Sequence, residues 1–119
     1  MGSTYESRIK VISKTQLFGT GATAATVGVL PAGCRIIGIE VLVETADNAG
    51  TSAVVDIGIS GTTQKYAANV DVTATGPASV TLLVPAHPTA DETIIATLTE
   101  AGTAATAGEW DVVVKYLQP

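Results

Sequence analysis

His87 is the one histidine in the chain, and a mechanism that moves a proton near neutral pH would begin there. It lies between Ala86 and Pro88, in a stretch whose prolines read as a turn. A serine nucleophile would need that histidine and a Gly-x-Ser-x-Gly elbow. Ile59-Ser60-Gly61 supplies a serine after a strand but lacks the rest of the motif. Carboxylates are more plentiful: Glu40 and Glu44 on one strand, Asp47 beside Asn48, Asp71, and Asp91 beside Glu92. A calcium site would need several of these oxygens to converge, and Asp47, Asn48 and Asp71 are too far apart in sequence for local structure to do it. Glycoside cleavage would need two carboxylates facing each other across a cleft, and no aromatic platform for a sugar stands out. Gly19-Thr20-Gly21 lacks the lysine and the helix of a phosphate loop. Cys34 is the only cysteine, which excludes an internal disulfide and a cysteine-based zinc site; it reads as a buried, inert thiol at the head of an apolar strand. No catalytic residue, cofactor or metal site is expected.

The basic residues are the more informative set. Three of the six, Arg8, Lys10 and Lys14, fall in the first strand-like segment, and the chain as a whole carries a net charge of −5. That balance argues against nucleic acid as a partner. Two readings fit the three cations. Lysines on a sheet margin guard it against edge-to-edge pairing. Alternatively, Arg8, Lys10 and Lys14 form a docking element laid on an acidic partner.

The elements that carry these residues are strands. Between Cys34 and Gly61, two limbs alternate with period two: Ile37, Ile39, Val41 and Val43 against Gly38, Glu40, Leu42 and Glu44, then Val55, Ile57 and Ile59 against Val54, Asp56 and Gly58. Asp47, Asn48 and Gly50 supply turn chemistry between them, so the pattern predicts a long β-hairpin with one face covered by a second sheet. Upstream, strands are expected at 8–17 and 26–30, with a tight turn at Leu30-Pro31-Ala32-Gly33. Downstream, 62–69 reads as a crossing segment with a short strand at 70–73, followed by strands at 79–84, 93–99 and 110–116. Trp110, Val112, Val114 and Tyr116 share one face of the last, which marks it as a central core strand. Gly21–Thr26 and Gly102–Thr106 look alike and read as low-complexity loops.

Seven or eight short strands and no convincing helical period spell an all-β, antiparallel β-sandwich, jelly-roll-like; an immunoglobulin-like sandwich is the alternative, but its Cys…Trp…Cys signature is absent. Residues 1–20 are expected to form an N-terminal arm and first strand, and 21–119 a single β-sandwich domain. The 119 residues suffice for a core without disulfides. Hydrophobic residues make up 46% and charged residues only 14%, with Thr, Ala and Gly filling the difference, a surface suited to contact with other subunits. No apolar run approaches the roughly 18 residues of a membrane span, no secretory leader is visible, and Met1-Gly2 is no myristoylation start because Glu6 stands where Ser or Thr is required.

Several segments together resemble the small β-sandwich virion proteins of tailed bacteriophages: Leu30-Pro-Ala-Gly33 ahead of a long aliphatic strand, Val55–Gly61, Tyr66–Thr73, Asp91–Thr97, and Gly102–Gly108 leading into Val112–Tyr116. The likeness covers about residues 27–117 and is one of style more than of a single motif. It implies a structural virion protein, assembled in the host bacterial cytoplasm, that decorates the capsid or forms the base of a head fibre. It also implies a homo-oligomer, a trimer, in contact with the major capsid protein or another virion protein, with no enzymatic activity. A receptor- or carbohydrate-binding module at a fibre or tail tip is the alternative; it would need exposed aromatics, for which Tyr5, Tyr66 and Phe18 are the candidates outside the core.

Overall fold

The computed structural model describes residues 9–17, 24–83 and 87–119. Eight strands appear: β1 (Ile9–Leu17), β2 (Ala24–Leu30), β3 (Arg35–Thr45), β4 (Ser52–Ile59), β5 (Thr62–Asp71), β6 (Gly76–Pro77), β7 (Glu92–Ala101) and β8 (Glu109–Leu117). They form two four-stranded antiparallel sheets, β1-β8-β3-β6 and β2-β7-β4-β5. First pairs with last, second with seventh, third with sixth and fourth with fifth. This is one long antiparallel ribbon wrapped around a core, which is a jelly roll rather than an immunoglobulin-like order.

The β-branched residues that favour strands also line the interior. Val41, Val43, Val112 and Val114 from the first sheet meet Val55, Ile57, Ile94 and Val70 from the second, all buried. The last strand is central, between β1 and β3, and Trp110 is 2% exposed.

Five local expectations are corrected. The limbs at 35–45 and 52–59 are not a hairpin; they lie in opposite sheets. Their link is instead zipped onto the β7–β8 loop. The Gly50 amide donates to the Thr103 carbonyl (2.8 Å), and Asn48 Oδ1 accepts from the amides of Thr106 and Ala107 (2.7 and 3.1 Å). The phase of β3 shifts at a bulge between Ile36 and Gly38, which buries Ile36 and turns Ile37 outward. Residues 62–69 do not cross the sandwich; they pair with β4 through a two-residue turn at Ser60-Gly61, with Gly61 at φ +85°. Residues 79–83 do not continue as a strand, and Val84 lies outside the described residues. That segment bridges the sheet margins: the Ala78 amide donates to Val41 and the Leu83 amide to Tyr66, while Val80 and Leu82 plug the gap between. The expected turn after β2 forms one residue later, Pro31 to Cys34, with Gly33 at φ +81°.

Candidate docking surface

Strand β1 is the margin of its sheet and pairs with β8 along its whole length. Lys10, Ile12, Lys14 and Gln16 stand opposite Tyr116, Val114, Val112 and Trp110, all buried, so this face of β1 looks inward. Ile12 and Gln16 accordingly sink toward the core, while Lys10 and Lys14, also on that face, remain exposed at its open rim. Inward-pointing charge on a marginal strand blocks the addition of a further strand. The same geometry leaves two ammonium groups free to reach an acidic surface. Arg8, the third candidate, lies outside the described residues.

The other face of β1 behaves differently. Ile9, Val11, Ser13 and Thr15 point outward with Leu117, Lys115, Val113 and Asp111 of β8 beside them. Thr15 Oγ1 donates to Asp111 Oδ1 at 2.6 Å. Of the six large apolar side chains that are exposed among the described residues, Ile9, Val11, Ile37 and Leu42 lie on this one sheet face. Alternation in β1 made Ile9 and Val11 legible as a pair, but nothing in the sequence placed them beside Ile37 and Leu42, which come from a strand two positions away in the sheet.

The residues that could do chemistry are dispersed. His87 is exposed in its loop, and Ser60 sits exposed in the β4–β5 turn. Asp47 is buried and caps its own loop, accepting from the Ala49 amide at 2.9 Å. Asp71 accepts from the hydroxyl and amide of Thr73, which hold its carboxyl below the ordinary value. No three groups among His, Cys, Asp and Glu stand close enough to hold a metal ion among the described residues. Cys34 is fully buried; burial, and then the charge of Glu92, pushes its thiol up and away from the reactive thiolate. Tyr66, expected outside the core, is instead 1% exposed, and its hydroxyl donates to Glu92, which also binds Lys65. Trp110 and Tyr116 are buried as well, so no exposed aromatic ring stands among the described residues. Tyr5 and Phe18 lie outside them.

No protein-family model matches the sequence, and no curated protein matches it. Solved structures do. A chain of the cyanophage Pam1 capsid asymmetric unit superposes with a TM-score of 0.69 at 24% identity, over 93% of this chain and 85% of its own length. A chain of the acidic stable capsid of Helicobacter pylori bacteriophage KHP30 superposes with a TM-score of 0.65 at 18% identity, over 93% and 88%. The jelly roll is therefore shared nearly end to end with chains of two phage capsids.

Proposed function

We propose that this chain is a structural virion protein of a tailed phage or phage-like particle, a subunit that decorates the capsid or forms the base of a head fibre. The observation that carries the reading is the match of the jelly roll, over 93% of the chain, to chains of two phage capsid structures. The weakly charged, Thr-rich surface supports it, because many copies held together need little affinity each. The partners are the major capsid protein or another virion protein, and copies of the chain itself. The role is mechanical, stabilising or extending the shell, with no reaction catalysed.

Lys10 and Lys14 are the proposed contacts with the shell, together with Arg8. Removing residues 1–16 would not test this cleanly, because β1 covers β8 along its length and its loss would unpair the strand that carries Trp110. Charge reversal is the better probe. Particles purified from a lysate should contain the chain in their head fraction by peptide mass spectrometry, and Lys10→Glu/Lys14→Glu should reduce its occupancy while the fold survives. Absence of the chain from purified particles would overturn the virion reading. Unchanged occupancy of the double variant would overturn only the docking role of β1. A carbohydrate-binding tip is the weaker alternative, since the buried Tyr66 removes one of its three candidate aromatics.

A further inference from the structure

We propose that the outward face of the β1-β8-β3-β6 sheet is the seat of a second copy of this chain, packed face to face about a two-fold axis that lies across the strands at the level of Val113 and Glu40. The pairing registers give the face in rows. At one end, Ile9, Leu117 and Arg35 lie side by side. Next come Val11, Lys115 and Gly38, then Ser13, Val113 and Glu40. Thr15, Asp111, Leu42 and Pro77 follow, and Glu109 with Thr45 closes the far end. Two bulges in β3 add one outward residue near each end, Ile37 near the first and Glu44 near the last.

This face is polarised. Its cations, Arg35 and Lys115, lie toward the first end; Asp111, Glu109 and Glu44 lie toward the other. Glu40 sits in the middle row and is already paired with Lys115 of its own chain. A two-fold axis across the strands reverses the rows and leaves the strand order unchanged. Lys115 of one copy then stands over Asp111 of the other, and Arg35 comes within reach of Glu44. Leu42, 43% exposed, falls over Gly38, where open space extends beyond the backbone, with the apolar Ile37 at its border. On the axis Val113 meets Val113 and Glu40 meets Glu40, each Glu40 carrying the Lys115 ammonium of its own chain as counter-charge. Each contact off the axis occurs twice, as an isologous interface requires. An axis along β8 would instead bring Asp111 over Asp111 and Glu109 over Glu109, and would leave Lys115 facing Lys115.

The opposite sheet offers no such match. Val29 is as exposed as Val11, and Ile95 and Val54 share its face half-exposed, yet the charged residues among the paired positions there are Asp56 and Asp71, with no cation among those positions to complement them in a second copy. The paired face spans about 26 Å along the strands and about 14 Å across β1, β8 and β3, widening to about 19 Å only beside the two residues of β6. That would cover about 700–1,000 Å² in total, at or below the lower limit of a specific interface, so the pair should be weak, reversible and salt-sensitive. The inference does not rest on the capsid reading.

Sedimentation equilibrium of the full chain, followed across concentration up to roughly millimolar, tests it. The mass should rise from 12.0 kDa toward 24.0 kDa, twice that value, and fall back as salt is added. Leu42→Lys should weaken association about tenfold or more, whereas Val29→Lys, on the other sheet, should leave it unchanged. Arg35→Glu and Glu44→Arg should each weaken it, and the two together in one chain should restore it. Thermal midpoints close to the parent's establish that each variant is folded. A mass of 12.0 kDa throughout, a trimer, or a dimer indifferent to Leu42→Lys would overturn the proposal. Failure of the double charge reversal to restore the dimer would overturn the reversed-row arrangement.

Discussion

Ile12 and Gly28 meet where the margins of the two sheets approach each other: a methyl group added to Gly28 would stand 2.8 Å from Ile12 Cβ. Gly28 lies at the bulge that shifts the register of β2 against β7, and the missing side chain lets Ile12 seat against the core. Gly28→Ala should therefore destabilise the fold by about 1–3 kcal/mol, the usual cost of overpacking, read as a lower urea midpoint with an unchanged slope. Gly58→Ala should cost more. There the added carbon would strike the Thr62 carbonyl and approach the Thr63 carbonyl to 2.6 Å, and backbone cannot rotate away as a side chain can.

Trp110 is held between Gln16 of β1 and Val43 of β3, in the middle of its sheet. Truncation to alanine leaves a cavity that a strand flanked on both sides cannot close. Trp110→Ala should cost about 3–5 kcal/mol, a large part of the stability of a domain this size, and chemical denaturation would measure it.

The Tyr66 hydroxyl and the Lys65 ammonium share the carboxylate of Glu92, tying β5 to β7 across β4. Tyr66→Phe should cost about 1.5–3 kcal/mol, the range for a hydrogen bond to a charged group. Burial, and then the hydrogen bond and charge of Glu92, hold the Tyr66 phenol above its ordinary value. The folded state thus keeps a proton that the unfolded chain releases near pH 10. The associated stability is complete below about pH 10 and is lost as the pH rises further. Ultraviolet titration of the phenols should show a lagging step that vanishes in Tyr66→Phe.

Glu100 answers to pH in the opposite range. Its hydrogen bond with Asp47, then burial and the Asp47 charge, raise its carboxyl from 4.5 to about 7. The folded state binds this proton more tightly than the unfolded state, so the contribution is complete below pH 4.5 and fades as pH rises through about 7. The group is exposed, so solvent screening keeps the effect small. Thermal midpoints measured between about pH 5 and pH 8 should decline in the parent and flatten in Glu100→Gln, with the two differing most at the alkaline end. A parallel decline in both would place the pH dependence elsewhere.

Most of the strands were written in the sequence, although β5 read as a crossing segment and residues 79–83 read as a strand that does not form. Period-two alternation marks Val41, Val43, Val55, Ile57 and the Trp110–Tyr116 face as inward, and all of these residues are buried. The all-β sandwich follows from them, because a strand with one apolar face must find a second sheet. Neighbourhood was not written there. Alternation fixes which side of a strand is apolar but not which strand lies beside it, so residues 35–45 and 52–59 read equally well as a hairpin or as partners across the core. What separated them was a hydrogen-bonded contact between distant loops, Asn48 with Thr106 and Gly50 with Thr103. Bulges are equally silent: Ile37 looks like Ile39 in sequence, and one extra residue turned it to the outside. The amino-acid order alone thus determined most of the strands, the buried cysteine and the cationic first strand. The tertiary structure decided the jelly-roll order, the inward placement of Tyr66, and the apolar, charge-polarised face shared by β1, β8 and β3, because each depends on pairings between residues far apart along the chain.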